Sequence, residues 1–126
     1  MREQVSTDKA PQPKGPYAQA VKANGFLFVS GQGSLDPTSG EVIHGTIEEE
    51  TRLTIEDLKA VLEAGGSGLE HVVKVTVFLA DMDNFARMNS VFAEYFADVK
   101  HARSTVQAVP PVGLKVEMEA IAVVPE

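Results

Sequence analysis

The segment HVVKVTVFLAD (residues 71–81) gives the strongest indication of the architecture, because it is typical of a strand inside a sheet. Its residues are mostly β-branched, which favours an extended backbone. Successive side chains of a strand point to opposite faces, and here both faces carry apolar residues: Val73, Val75 and Val77 on one, Val72 and Phe78 on the other. The sequence therefore predicts a central strand.

The segment TIEEETRLTIEDLKAVLEAGG (residues 46–66), which precedes this strand, is predicted to be a helix. Thr46 and Glu49 have the spacing of a capping box, and Gly65 and Gly66 favour termination. Apolar and small polar residues recur on one face at helical spacing: Ile47, Thr51, Thr54, Ile55, Leu58, Val61 and Leu62.

A second helix is predicted after the strand, with Asp83 as its N-cap. Its apolar stripe contains Phe85, Met88, Phe92 and Phe96, with Tyr95 nearby.

Further strands are expected on both sides of this central part. Three precede the first helix, among them YAQAV (residues 17–21) and GFLFVSG (residues 25–31). ARSTVQAV (residues 102–109) and LKVEMEAIAV (residues 114–123) follow the second helix, with a turn at Pro110 and Pro111. The order β-β-β-α-β-α-β-β predicts an α+β fold with one mixed sheet. Two helices can cover only one face of such a sheet, so we expect a homo-oligomer in which subunits cover the other face.

Length and composition limit the function classes. The 126 residues have the length of one domain, which we expect to span residues 1–126. The net charge of −7 argues against nucleic-acid binding, since phosphate affinity comes mainly from Lys and Arg. The absence of cysteine excludes disulfides and thiolate chemistry, and it fits a cytoplasmic protein. The N-terminal residues 1–17 lack the apolar core of a signal peptide, and no apolar stretch has the length of a membrane helix.

Common catalytic motifs are missing. His44, His71 and His101 do not have the spacing of metal ligands and are expected at the surface, so we predict no metal site. GQGSLD (residues 31–36) does not complete a dinucleotide-binding pattern. Ser30 does not lie in a nucleophile elbow, which requires glycine two residues before and after the serine.

The segment HARSTVQ (residues 101–107) places an arginine in a predicted strand. Thr105 and Gln107 share the face of Arg103 because strand side chains alternate. Burial of a guanidinium is costly unless it meets an anion. The residues alone leave two interpretations open, an ion pair at an interface and a binding site for an anionic ligand.

Glu117 and Glu119 share one face of the last strand, with Lys115 before them and Ile121 and Val123 after them. A carboxylate among apolar side chains can have a raised pKa and act as an acid or a base. From the residues alone, a solvated strand edge is the favoured interpretation.

Two further residues are candidates. Asn89 follows Met88 on the apolar side of the second helix, where its amide needs partners, and bracing of helix to strand is its common use. Tyr17 follows KAPQPKGP (residues 9–16), a rigid loop that could direct the ring into a cleft. On the residues alone, packing of Tyr17 in the core is favoured.

Taken together, these segments resemble the Rid (YjgF) family of reactive-intermediate deaminases, also called the endoribonuclease L-PSP or translation-inhibitor family. The resemblance covers nearly the whole chain. The segments GPYAQAV, FVSGQ, DPTSGEV, LEAGGSGLEHVVKVTVFLADMDNFARMN, ARSTVQ and KVEMEAIAV stand in the family's order and spacing.

The resemblance implies a chorismate-mutase-like α+β subunit, with both helices on one face of the sheet, and a homotrimer with ligand clefts between subunits. It implies hydrolysis of 2-imino and enamine acids, such as 2-aminoacrylate and 2-iminopropanoate, to 2-oxo acids and ammonia. It implies neither a metal nor an organic cofactor. The implied partners are therefore small 2-imino and 2-oxo carboxylates and other copies of the chain, with no membrane.

The family's functional residues carry over position by position. Arg103 matches the arginine that holds the substrate carboxylate, and Glu117 matches the carboxylate that handles the attacking water. Other positions match residues that line or brace the cleft: Tyr17, Ser30, Gly31 and Asn89. Thr105 matches a substrate-binding position at which cysteine is frequent, and where the backbone is the part usually assigned to the site. Any function that needs a thiol there is therefore excluded.

Two alternatives remain open. The family name includes endoribonucleases, although the acidic chain and the lack of a His pair argue against RNA cleavage. A non-catalytic module that binds small carboxylates, or a chaperone, would keep Arg103 and the oligomer without needing Glu117.

Overall fold

Residues 2–126, which the computed structural model describes, form six strands and two α-helices in the predicted order β-β-β-α-β-α-β-β. In chain order these are β1 Arg2–Val5, β2 Ala20–Ala23, β3 Phe26–Gln32, α1 Ile47–Ala64, β4 Val72–Leu79, α2 Phe85–Phe96, β5 Ala102–Gln107 and β6 Val116–Val123. Strand β1 lies in a segment for which the sequence predicts no particular element. Strand β2 begins three residues later than predicted, which leaves Tyr17 in a loop.

The strands form one sheet in the order β1-β2-β3-β6-β4-β5. Only β4 and β5 pair in parallel among the described strands, so the sheet is mixed as predicted. Strand β4 lies between β6 and β5, which confirms its interior position. Strand β6 lies between β3 and β4, so the residues of β6 are not at an edge of the sheet.

The predicted faces of β4 are wrong at its first two residues. The register of β4 against β6 shifts between Val72 and Lys74, as in a β-bulge. Val72 is therefore buried and Val73 is 40% exposed. Simple alternation instead places Val73 on the buried face with Val75 and Val77, and Val72 on the opposite face. Beyond the bulge, Val75 and Val77 are buried, so one face of the strand lies in the core.

Helix α1 forms as the sequence predicts. The Thr46 hydroxyl accepts a hydrogen bond from the Glu49 amide, the Glu49 carboxylate accepts one from the Thr46 amide, and Gly65 caps the helix at its other end. All seven residues of the predicted buried face are buried. Two acidic side chains, Glu50 and Asp57, are also buried along α1, which the sequence analysis missed.

Helix α2 begins later than predicted. A short 3-10 turn, Met82–Asn84, precedes it, and the carboxylate of Asp81 rather than Asp83 caps that turn. The Asp83 amide donates the capping hydrogen bond to the Asp81 carboxylate. The prediction that Asp83 is the N-cap is therefore wrong.

The two helices pack together and cover one face of the sheet, and the core lies between these two layers. The other face carries large apolar residues with substantial exposure, including Phe26, Phe28, Val73 and Val123. Isolated chains seldom leave such a surface uncovered. No helix within residues 2–126 has both the length and the apolarity needed to cross a bilayer.

Candidate active site

An open cleft of about 440 Å³ lies at one end of β3 and β6. Its walls come from the Pro-rich loop of residues 11–17, the end of β3 and the turn of residues 111–114. Four of the predicted site residues line it: Tyr17, Ser30, Gly31 and Glu117. We call these four residues the Glu117 half-site.

Glu117 lies half-buried on the central strand β6, so the interpretation as a solvated strand edge is wrong. Burial raises the pKa of Glu117 above its usual value, and the negative charge of Glu119 raises it further. No side chain of residues 2–126 forms a salt bridge with Glu117. A carboxylate of this kind can exchange a proton closer to neutral pH than an exposed one.

Gly31 allows the Glu117 side chain to lie directly against the backbone of β3. A Cβ atom at residue 31 would overlap Glu117 Oε2. Glycine is therefore needed here for close approach, and any larger residue would displace the carboxylate.

Ser30 braces the wall of the cleft. Its hydroxyl donates a hydrogen bond to the Ala18 carbonyl at 2.7 Å, and its amide donates to the Gln19 carbonyl at 2.9 Å. Tyr17, one residue before Ala18, is 56% exposed and lines the cleft. Packing of Tyr17 in the core, the interpretation favoured by the residues alone, is therefore wrong.

Gln19 is a structural residue that the sequence analysis missed. Its buried amide donates hydrogen bonds to the carbonyls of Ala10 and Pro11 and accepts one from the Thr7 amide. Loop residues 7–11 are thereby tied to the start of β2. The sequence signal that could have indicated this role is the polar Gln19 between two alanines of the predicted strand YAQAV.

Glu50 supports the start of β6. This fully buried carboxylate accepts hydrogen bonds from the Lys115 amide at 2.9 Å, the Lys115 ammonium at 3.1 Å and the Gly45 amide at 3.2 Å. These contacts hold the pKa of Glu50 below its usual value although burial opposes them. Glu50 lies four residues before Thr54, so its place on the buried face of α1 was visible in the helical spacing.

Arg103 lies on β5, beside α2. Its Nη1 donates a hydrogen bond to Asn89 Oδ1 at 2.7 Å, and its Cζ lies 4.7 Å from the centroid of the Phe92 ring. Asn89 therefore braces helix to strand, as predicted. Within residues 2–126, no carboxylate lies within 4.0 Å of Arg103. Burial lowers the pKa of Arg103 from its usual value, but a guanidinium remains charged at neutral pH.

Thr105 follows Arg103 on the same face of β5, and its Oγ1 is buried without a hydrogen-bond partner in the described chain. We call Asn89, Arg103 and Thr105 the Arg103 half-site. His101, expected at the surface, instead packs with its ring 4.9 Å from that of Phe96. A small cleft of about 240 Å³ lies beside Arg103 and His101. Within residues 2–126, no group of three His, Asp or Glu side chains is placed to hold a metal ion.

The two half-sites lie on opposite faces of the sheet. Arg103 pairs in register with Val75, whose side chain is buried on the face that the helices cover. Glu117 pairs with Phe78, which points to the other face. The structure thus brings four predicted residues together in one cleft and three beside α2, and it keeps the two groups apart within one chain.

The fold and the half-sites define a small α+β domain. One face of its sheet carries an arginine that has no carboxylate partner in residues 2–126, and the other face carries a half-buried glutamate. A family model described as Endoribonuclease L-PSP matches residues 7–124. The chain belongs to this family, the Rid (YjgF) family.

Individual relatives match over almost their full length. A RutC family protein of Pyrococcus horikoshii is 50% identical over 123 residues, 97% of this chain and 98% of that protein. The mouse 2-iminobutanoate/2-iminopropanoate deaminase is 43% identical over 124 residues, 98% of this chain and 92% of that protein. The crystal structure of a Thermotoga maritima protein, described as a candidate endoribonuclease, has 51% identity and a TM-score of 0.96, with all of both chains covered.

Proposed function

We propose that the protein hydrolyses 2-imino and enamine acids, of the 2-iminopropanoate and 2-aminoacrylate type, to 2-oxo acids and ammonia. The observation that carries this proposal is a pair of groups that have no oppositely charged partner within residues 2–126, the Arg103 cation and the Glu117 carboxyl, each at the wall of a cleft. The name of the mouse relative supports the same reaction.

Arg103 holds the substrate carboxylate in this proposal. A guanidinium offers a planar fork of donors that matches a carboxylate. Asn89 is its only side-chain hydrogen-bond partner in residues 2–126, so donors remain for a ligand. Asn89 and the Phe92 ring hold the side chain in place, which lowers the entropic cost of binding.

Glu117 handles the attacking water. The water adds to the carbon of the C=N bond while Glu117 takes one of its protons. Glu117 then gives this proton to the nitrogen, which forms a 2-amino-2-hydroxy acid. Glu117 next takes the proton of the new hydroxyl group and passes it to the same nitrogen, so that the C–N bond breaks, ammonia leaves and the C=O bond forms. An enamine enters the same path after it tautomerises to the imine, in which its β-carbon gains a proton and its nitrogen loses one. Because the reactants are already held together, positioning supplies much of the rate enhancement.

A second subunit completes the site. The edge beside β5 and α2 of one subunit meets the Glu117 cleft of its neighbour, so the two contacting surfaces differ. Contacts between two different surfaces form a ring when the rotation between subunits closes, and we propose the closed homotrimer that the family resemblance implies. The exposed apolar face of the sheet supplies surface for such an assembly.

The test couples an amino-acid oxidase, which generates the imine, to the purified protein and follows loss of the imine. The wild type should accelerate this loss, and Arg103→Ala and Glu117→Gln should not. Equal rates with and without the wild type would refute the deaminase. A different outcome is a wild type that hydrolyses no imine but binds 2-oxobutanoate. If Arg103→Ala abolishes that binding and Glu117→Gln does not, the protein is a carboxylate-binding module instead.

Endoribonuclease activity, which the description of the family model names, is less well supported here. The chain has a net charge of −7, and neither half-site contains a histidine. RNA binding depends on several cations that neutralise phosphates. The test incubates RNA with a preparation of the protein that hydrolyses imines. If the RNA stays intact, the endoribonuclease alternative is refuted and the deaminase is not.

A further inference from the structure

Val112 has a backbone conformation that is unfavourable for its side chain. Its φ of 52° and ψ of 31° lie in the left-handed region, which a β-branched residue rarely adopts. Only one other non-glycine residue in the described chain, Asn24, has a positive φ, and asparagine tolerates it well. Val112 is therefore the clearest site of local backbone strain.

The loop around Val112 is anchored on both sides, which explains how the strain persists. The Ala108 amide donates a hydrogen bond to the Leu79 carbonyl at 2.9 Å. After Val112, the buried Leu114 packs against Gly33, and the Lys115 amide donates to Glu50 at 2.9 Å. A strained residue survives only where its surroundings determine its conformation.

Burial within the subunit does not compensate for this strain. The Val112 side chain is 58% exposed, yet it lines the same cleft as Glu117 and Tyr17. Val109, in the same loop, is 97% exposed and does not line the cleft. Strain without compensating burial at the wall of a binding cleft points to a role in ligand contact.

We propose that Val112 determines specificity by contacting the side chain of the substrate, so that 2-imino acids with branched aliphatic side chains are preferred over the alanine-derived imine. This inference rests on the proposed function. Leu35, Pro111 and Leu114 also line the cleft and contribute apolar side chains to its wall, which Glu117 shares. The cleft of about 440 Å³ leaves room for a side chain beyond the reacting carbon.

The test compares Val112→Ala, Val112→Gly and the matched control Val109→Ala. Leucine and alanine supply the branched and the short imine through amino-acid oxidases. Both Val112 variants should lower the ratio of kcat/KM for the branched imine to that for the short imine by about three- to tenfold, the range for a few methyl contacts in a partly open site. The change should appear in KM. Val109→Ala should keep the wild-type ratio.

Thermal melting tests the strain separately. Val112→Gly should melt above Val112→Ala, since both lack the isopropyl group and only glycine is unstrained at this φ. Equal melting temperatures, or a lower one for glycine, would contradict the strain.

A binding measurement separates this inference from the proposed function. Protein NMR titration with 2-oxobutanoate and 4-methyl-2-oxopentanoate needs no catalysis. If the wild type hydrolyses neither imine but Val112→Ala removes its preference for the branched 2-oxo acid, the deaminase fails and the role of Val112 stands. If the wild type hydrolyses both imines with a ratio that Val112→Ala leaves unchanged, the role of Val112 fails alone. If there is neither hydrolysis nor a binding preference that depends on Val112, both fail.

Discussion

Arg103 and Glu117 lie on opposite faces of one β-sheet, although their strands, β5 and β6, both flank β4. Arg103 points to the side of α2, where it meets Asn89, and Glu117 points into the cleft on the other side. A small 2-imino acid cannot contact both residues of one subunit through the sheet. If both act on one substrate, they must come from different subunits.

This separation predicts that two inactive variants will complement each other. Arg103→Ala subunits still supply Glu117, and Glu117→Gln subunits still supply Arg103. Random mixing in equal amounts gives each cleft both native residues in about one case in four, because the two residues come from adjacent subunits of a ring. Imine hydrolysis should therefore rise to about a quarter of the wild-type rate after subunit exchange.

The control for complementation takes each variant through the same exchange alone. Mass spectrometry of differently tagged subunits would confirm that mixing took place. Mixed oligomers that stay as inactive as either variant would place the site within a single subunit.

Changes at Asn89 should weaken carboxylate binding in a graded way. Asn89→Ala removes the partner that orients Arg103, and we expect about tenfold weaker binding of 2-oxobutanoate, the value of a hydrogen bond to a charged group. Asn89→Asp should weaken binding further, because its carboxylate pairs with Arg103 and competes with the ligand. Calorimetric titration measures both. Binding by Asn89→Asp as tight as that of the wild type would contradict the role of Arg103.

The pH profile of activity should depend on Glu119. Burial and the charge of Glu119 raise the pKa of Glu117, and a general base must be ionised, so kcat/KM should fall as the pH drops through this raised pKa. Glu119→Gln removes the repulsion, so the acid limb of the profile should move to lower pH. Glu63→Gln, an exposed change on α1, is the control. An acid limb that Glu119→Gln leaves in place would show that Glu117 does not set it.

Stability should fall as the pH rises, because of Asp57. Burial raises the pKa of Asp57 from 3.8 to about 7, against the effect of the Leu35 amide, and its Oδ2 has no hydrogen-bond partner in the described chain. The folded state therefore binds more protons than the unfolded state between these values, so the contribution of Asp57 is present below about pH 3.8 and is lost as the pH approaches 7.

Asp57→Asn should remove this dependence. At pH 8 the variant should be more stable than the wild type, by at most about 4 kcal/mol from the size of the pKa change. At pH 4 the two proteins should differ little. Urea unfolding at both pH values gives the comparison, with the exposed Asp98→Asn as the control. If the free energy of unfolding differs between variant and wild type by the same amount at pH 4 and pH 8, Asp57 does not titrate in this range.

Gly31→Ala should reduce activity without unfolding the protein. The new methyl group overlaps Glu117 Oε2, and the flexible glutamate can rotate away. We expect kcat to fall at least about tenfold, part of the contribution of a positioned general base. Gly15→Ala, whose methyl would make an ordinary contact of 3.4 Å with the Tyr17 ring, is the matched control. If Gly31→Ala keeps the kcat of the wild type, the position of the Glu117 carboxylate is not essential for catalysis.

Local features of the fold were predictable from the sequence. The capping box at Thr46 and the buried face of α1 depend on residues three or four positions apart, so the printed order contains the necessary information. The order of elements from β2 onward and the interior position of β4 also follow from local composition. The bulge at Val72 was not predictable, because it arises from the register of β4 against β6, a strand more than forty residues away.

The family, the candidate residues and the apolar character of the open face of the sheet could be inferred from the sequence alone, since each depends on residue types and their spacing. Only the tertiary structure placed the strained Val112 at the cleft wall, and Arg103 and Glu117 on opposite faces. The physical reason is that the alternation of side chains along a strand determines only which residues of that strand share a face. Which of those faces the helices cover is decided by the pairing order of β3, β6, β4 and β5.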